Sequence, residues 1–541
     1  MRGNFVSSAA VTACAAVLTL PFLATPAGAT PSGDARPGTT PAGTPRPGTS
    51  APPGARGTTS AKGAPEGASS ALRRAARPRA ALRAAGAARR QSLALPGATR
   101  SLPLVPLGPT RRTTGRTPAP ARGVPAREVK PFSLVGIVWD DAARELRGTA
   151  QVRTRALSTG TWSDWQDIET HGDRPDPGTP EARGKGVRGA TAPLWVGPSD
   201  AVEVRVRPDT GAGAPRETRA LPPGMRLELV DPGKDPARPA ARPRPRSGGS
   251  APQAPLATDD DHAASAANAP LAPVGALEIP AASKAESARD VAATHVDVHA
   301  AGEKTPADGR EEGGDPEDQA LPGTTDPGDG TDTGASPTGR WVGPRPRIVT
   351  RAGWGADETI REHGFPYDKT VRAAFVHHTA SGNTYSCSQS PSVIRGIYRY
   401  HVVSSGWRDL GYNFLVDKCG TVYEGRAGGV AKPVRGAHTL GFNTNSMGIA
   451  VLGTFARTGP SGAAVEAVAA ITAWKLGLYD VNPRGTVTLV SGGGNLFKKG
   501  STVKLKVISG HRDGYATECP GDRLYARLGT IRSAAARLQG R

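Results

Sequence analysis

Apolar residues recur at secondary-structure spacing in two parts of this chain and not elsewhere. In residues 128–231 the spacing is mostly two. An unbroken run, FSLVGIVW, occupies 132–139, and TAQVRTR alternates over 149–155. LWV at 194–196, VEVRVR at 202–207 and MRLELV at 225–230 complete the set. Short period-two runs between Gly, Pro and Asp turns predict a small antiparallel β-sandwich-like domain. Trp162 and Trp165 bracket a turn at Ser163-Asp164. Core packing is favoured for the tryptophans over a sugar-stacking platform.

Residues 345–541 mix periods. Buried strands are expected at 371–377, 412–417, 422–424 and 447–453. A helix is expected at 391–403, with Val393, Ile394, Ile397, Tyr398 and His401 along one side. An Ala-rich helix follows at 461–478. A hairpin pairs 487–490 with 503–507, and a closing helix runs over 522–538 with Asp522 as N-cap. This reads as an α/β domain with a mixed sheet.

Composition accounts for the remainder. The 541 residues include 69 glycines and 51 prolines, with only 5% aromatics, so long stretches cannot offset chain entropy by burial. Residues 1–29 read as an export signal: Arg2, an apolar run between Val6 and Leu23, then Ala27-Gly28-Ala29 as cleavage site. Residues 30–127 read as a disordered Ala/Pro/Arg-rich arm with few acids. Residues 232–344 read as a disordered Pro/Ala/Gly/Asp-rich linker, with acidic clusters at Asp259-Asp260-Asp261 and Glu311-Glu312. The net charge of +20 therefore hides an asymmetry between a basic arm and an acidic linker. On an exported chain such an arm suits an anionic cell-wall polymer. Nucleic acid is not expected as a partner, nor is a transmembrane anchor, and a monomer is expected.

Candidate chemistry lies in the C-terminal part. His377, His511 and Cys519 offer two imidazoles and a thiolate, a set that suits tetrahedral zinc with a fourth, open position for water. Their spacing alone is a weak signal. Their flanks are specific. The runs are His377-His378-Thr379-Ala380; Gly406 to Phe414 (GWRDLGYNF); Gly436-Ala437-His438-Thr439; and Gly510-His511-Arg512-Asp513 with Thr517-Glu518-Cys519-Pro520-Gly521. In sequence and order they resemble the peptidoglycan recognition protein and zinc N-acetylmuramoyl-L-alanine amidase family.

The resemblance covers 345–541 and implies a mixed sheet with helices on its faces and a ligand groove. It assigns Zn2+ to His377, His511 and Cys519, and catalytic roles to Tyr412 and Thr517. It places His378, His401, Arg426, His438 and Asn443 at the substrate. Some relatives carry a glutamate base where Ala450 stands, so no base is visible in the sequence. With Cys519 as a zinc ligand and Cys14 in the export signal, Cys387 and Cys419 remain as a disulfide pair. The implied activity is that of a secreted, wall-associated amidase acting on peptidoglycan. The alternative is a non-catalytic receptor or wall-anchoring module.

Overall fold

The computed structural model describes residues 97–108, 121–170, 173–184, 186–209, 220–235, 253–254, 256–295 and 339–541. The export signal, the arm up to 96 and Glu311-Glu312 lie outside these residues.

The first domain is antiparallel. Its strands are β1 (Ala98–Pro103), β2 (Val105–Pro106), β3 (Arg122–Trp139), β4 (Gly148–Ala156), β5 (Gln166–Ile168), β6 (Gly189–Ala190), β7 (Leu194–Pro208) and β8 (Arg226–Asp231). They form one eight-stranded sheet ordered β1-β8-β3-β7-β4-β5, with β2 and β6 paired to β3. The alternation in β7 sends Val202, Val204 and Val206 inward, each fully buried. The two runs expected at 194–196 and 202–207 are thus one long strand. Register shifts between β3 and β7 bend it. Trp139 and Trp195 are buried. Trp162 and Trp165 are half-buried, with Arg153 and Arg205 over their faces.

The expected start of this domain at 128 is too late. β1 pairs with β8 along its whole length, and Leu104 and Val124 enter the core. Strand pairing and these few apolar side chains outweigh the Pro/Arg-rich composition.

The expected linker at 232–344 is likewise interrupted. Residues 256–295 fold onto the C-terminal domain as α1 (Asp259–Ala266), β9 (Glu278–Ile279) and α2 (Lys284–Ser287). The triple aspartate, expected in disordered linker, is the first turn of α1. Thr258 caps it in a reciprocal capping box with Asp261. Asp260 meets His363 at 2.8 Å.

The C-terminal domain contains β10 (Ile348–Val349), α3 (Arg351–Trp354), β11 (Ala373–His378), α4 (Ser390–Arg399), β12 (Phe414–Val416), β13 (Val422–Glu424) and β14 (Ser446–Val451). It continues through α5 (Gly462–Gly477), β15 (Thr486–Val490), β16 (Thr502–Lys506), β17 (Ile508–Gly510), α6 (Asp522–Tyr525) and α7 (Leu528–Gln539). The mixed sheet runs β17-β11-β14-β12-β13-β10-β9. β11 lies between two parallel neighbours, so its residues are buried on both faces. β15 and β16 make the expected hairpin.

Two helix expectations change. The helix expected at 391–403 is α4 and ends in a π turn at Tyr400–Ser404. The closing helix is broken into α6 and α7. Its cap is Gly521 and not Asp522, whose carboxylate instead binds Arg512 at 2.7 Å. Gly521 has φ 84°, and a Cβ there would lie 2.4 Å from the Phe455 backbone.

The β-domain packs on α4 and the turn after it. Leu134, Val138, Trp195 and Val230 join Val393, Ile397 and Tyr400 in one buried cluster. The Tyr400 hydroxyl donates to the Ile137 and Thr191 carbonyls. Gly136 leaves room for the ring, since a Cβ there would lie 2.4 Å from it. Cys387 and Cys419 are disulfide-bonded, as expected. Among the described residues, no helix is long and apolar enough to cross a membrane.

Candidate metal centre and groove

The three ligand candidates converge at the ends of neighbouring strands. His377 is the penultimate residue of β11, and His511 begins the turn after β17. Cys519 follows in the loop before α6. Their ligand atoms all lie within 4.8 Å of one another and all three residues are buried. The Cys519 Sγ lies 3.8 Å from His377 Nδ1 and accepts from the His378 backbone N–H at 3.4 Å. The rings of His377 and His511 are 4.5 Å apart.

The donor set fits a divalent cation. Burial, and next the neighbouring Asp173 carboxylate, hold the Cys519 thiol well above its usual range. A thiolate there needs a positive charge beside it, which a bound metal ion supplies.

His438 lies behind His377. Its Nδ1 is 3.3 Å from His377 Nε2 and 3.0 Å from the Thr439 hydroxyl. Burial keeps its pKa well below the ordinary histidine range, so the ring is neutral, and with its proton on Nε2 its Nδ1 accepts from His377 Nε2. Donation from Nε2 leaves His377 Nδ1 to face Cys519, which fixes the ring for metal ligation. A Cβ on Gly448 would lie 2.4 Å from the His438 ring. The structure thus sets His438 beneath the ligand, fully buried, and not on the groove wall expected for it.

Tyr412 enters from the segment before β12, its ring 5.4 Å from His377. His401 supports Tyr412 rather than facing the groove. Its Nδ1 accepts from the Gly411 N–H, and its ring packs against Trp407 and Tyr412. The Thr517 hydroxyl accepts from the Cys519 N–H at 3.3 Å, shaping the loop that carries the thiolate. Ala450 pairs with His377 across β14 and β11, so no carboxylate rises from that position.

The carboxylates at this site come instead from the β-domain, in the loop between β5 and β6, which the sequence did not single out. Asp173 Oδ1 is 3.3 Å from Nδ1 of both His377 and His511. Its Oδ2 accepts from the Tyr412 hydroxyl at 2.7 Å. Glu169 meets His378 Nε2 at 3.0 Å. Asp176 accepts from the Gly441 N–H at 2.6 Å and the Asn443 amide at 2.7 Å. Glu181 takes both terminal nitrogens of Arg426, at 2.9 and 2.8 Å. A connection this long inside a small β-domain is itself a functional signal, but nothing local says where it reaches.

Comparison with known proteins agrees with this division. Residues 367–522 match a family model described as N-acetylmuramoyl-L-alanine amidase. Residues 89–237 match one described as an Rv3811 N-terminal galactose-binding domain-like region. The chain is 32% identical over 183 residues to peptidoglycan-recognition protein SC2 of Drosophila simulans. That match spans 34% of this chain and 85% of the fly protein. It is 35% identical over 122 residues to human peptidoglycan recognition protein 3, spanning 23% of this chain and 34% of that protein. Among solved structures, Drosophila peptidoglycan recognition protein SD is 26% identical. It spans 34% of this chain and 92% of that one, with a TM-score of 0.26.

Proposed function

Because the chain belongs to the peptidoglycan recognition protein and N-acetylmuramoyl-L-alanine amidase family, we propose that it is a secreted zinc amidase. Its reaction is hydrolysis of the amide between N-acetylmuramic acid and L-alanine in bacterial peptidoglycan. The observation that carries this is the buried convergence of His377, His511 and Cys519, with Tyr412 beside them. Zinc, when bound, acidifies a water and polarises the scissile carbonyl.

The protein's own groups do the rest. His438 fixes the orientation of His377. Tyr412, whose phenol burial holds protonated well beyond neutral pH, donates to the carbonyl oxygen as it gains charge. Arg426 is anchored by the Leu410 and Arg435 carbonyls and offers a fixed fork to a stem-peptide carboxylate. Asn443 and His378 complete the binding wall. The basic arm holds the exported enzyme at anionic wall polymers.

The test is zinc content together with release of stem peptides from purified sacculi. One zinc per chain, with release abolished by chelation, is expected. Tight sacculus binding with zinc present and no peptide released from an opened site would leave a receptor instead. Deleting residues 30–96 should lower sacculus binding at low salt and leave cleavage of a soluble muropeptide unchanged. Equal binding across a salt series would reduce the arm to a spacer.

A further inference from the structure

The loop from Glu169 to Arg188 sets carboxylates against the very groups the amidase reading needs. Glu169 is on His378, Asp173 on the ligand histidines and Tyr412, Asp176 on Gly441 and Asn443, and Glu181 on Arg426. The site is sealed beneath them: His377, His511 and Cys519 are fully buried, and Tyr412 and Arg426 nearly so. A glycan strand with its stem peptide has no room while the loop stays.

Asp173 is the informative member. Asp173 Oδ1 lies 3.3 Å from Nδ1 of both His377 and His511, and its Oδ2 holds the Tyr412 hydroxyl. Three ligands from the C-terminal domain leave one position for water. Asp173 covers the imidazoles and the phenol that border the ligand set.

We infer that Asp173, supplied by the β-domain, caps the ligand histidines and Tyr412, and that its loop holds the enzyme closed. The inference rests on the zinc amidase reading above. The closed loop imitates substrate: Glu181 takes the Arg426 fork proposed for a stem-peptide carboxylate, and Asp173 occupies Tyr412. Opening does not require the β-domain to leave. That domain is held by the apolar cluster around Tyr400, whereas the loop's four carboxylates engage polar groups of the site. Asp173 as the carboxylate base missing at Ala450 is the competing role. The sealed site weighs against it, because a base that bars substrate cannot turn over.

The test uses the full-length chain loaded with Co2+, titrated with azide while the visible absorption is followed. With the site covered, the wild-type spectrum is expected to stay unchanged. Asp173→Ala uncovers the open position, and azide should then shift the spectrum. On a soluble muropeptide the zinc form of Asp173→Ala should turn over about tenfold faster or more, since a mostly closed enzyme works only in proportion to its open fraction.

Glu181→Gln leaves every ligand in place and guards against misfolding of the first variant. It should give an azide response between the two and a smaller gain in rate. An azide shift in wild type equal to that of Asp173→Ala would overturn the inference. So would loss of wild-type hydrolysis in Asp173→Ala, which would make Asp173 a catalytic group. If Asp173→Ala opens to azide and neither protein hydrolyses muropeptide, closure stands and the amidase reading fails.

Discussion

His377 and the loop that faces it are held in different ways. His377 lies near the end of a strand buried between two parallel neighbours, with His438 under its far nitrogen and Gly448 leaving room for His438. Its strand and its Nε2 partner both belong to the C-terminal domain, and Asp173 of the β-domain meets only the outward face. Asp173 opposite it lies in a Pro- and Gly-rich connection between β5 and β6, held by Tyr412 and the ligand histidines themselves. The ligand side is therefore preorganised by packing, and the loop side by complementary charge. Loss of the loop should leave the ligand side intact, while loss of a ligand should free the loop's principal anchor. That asymmetry is what a removable cover on a finished site requires.

The largest expected effect breaks the ligand side. Cys519→Ser removes the thiolate from a buried cluster and should abolish hydrolysis, with zinc content falling well below one per chain. The disulfide and both sheets lie outside the change, so circular dichroism should be unaltered. Full zinc content by metal analysis would take Cys519 out of the ligand set.

Tyr412→Phe comes next. It removes a donor proposed to act on developing charge, which is worth on the order of a hundredfold in kcat, with KM little changed. The same substitution removes the Asp173 Oδ2 contact, so azide access to the Co2+ form should rise modestly. Unchanged turnover would leave Tyr412 only its contact with the loop.

These two sides also differ in how far the sequence reveals them. His377, His511 and Cys519 were legible because each sits in a local run whose flanking residues build its own strand end or turn. His438 lies in one of the same runs and His401 came only from the resemblance, and both were given to the groove. Burial behind His377 and against Trp407 depends on tertiary packing that no local run encodes. Asp173 was invisible for a stronger reason. It meets Tyr412 across 239 residues and from another domain, and nothing near it in sequence points there. Composition misled at the start of the β-domain and in the linker. Pro- and Arg-rich sequence hid β1, and three aspartates in the first turn of a helix looked like disordered linker.

Gly136→Ala probes the interface that keeps the loop in register. Its new Cβ would overlap the Tyr400 ring at 2.4 Å, so the ring must move and overpacking should cost about 1–3 kcal/mol. Calorimetry should show the β-domain melting earlier while the C-terminal domain keeps its own transition. One unshifted transition would mean that the apolar cluster repacks freely.

The smallest expected effect reads the loop's charge. Burial raises the Asp176 pKa to about 6, only partly offset by the Gly441 N–H, the Asn443 amide and N–H, and Arg435. In the open loop the carboxyl returns toward its ordinary value of 3.8. A group whose closed-state pKa is raised favours closure when protonated. The contribution is fully present below about pH 4 and is lost as pH rises through about 6, at no more than about tenfold per unit. Asp176→Asn keeps the oxygen that takes Gly441 and Asn443 and removes the buried charge at every pH. Hydrogen exchange in the loop should therefore be slower in the variant than in wild type at pH 7, and the two should converge near pH 4. The reverse order at pH 7 would show that the ionised carboxylate contributes to closure, and that charge complementarity holds even this buried contact.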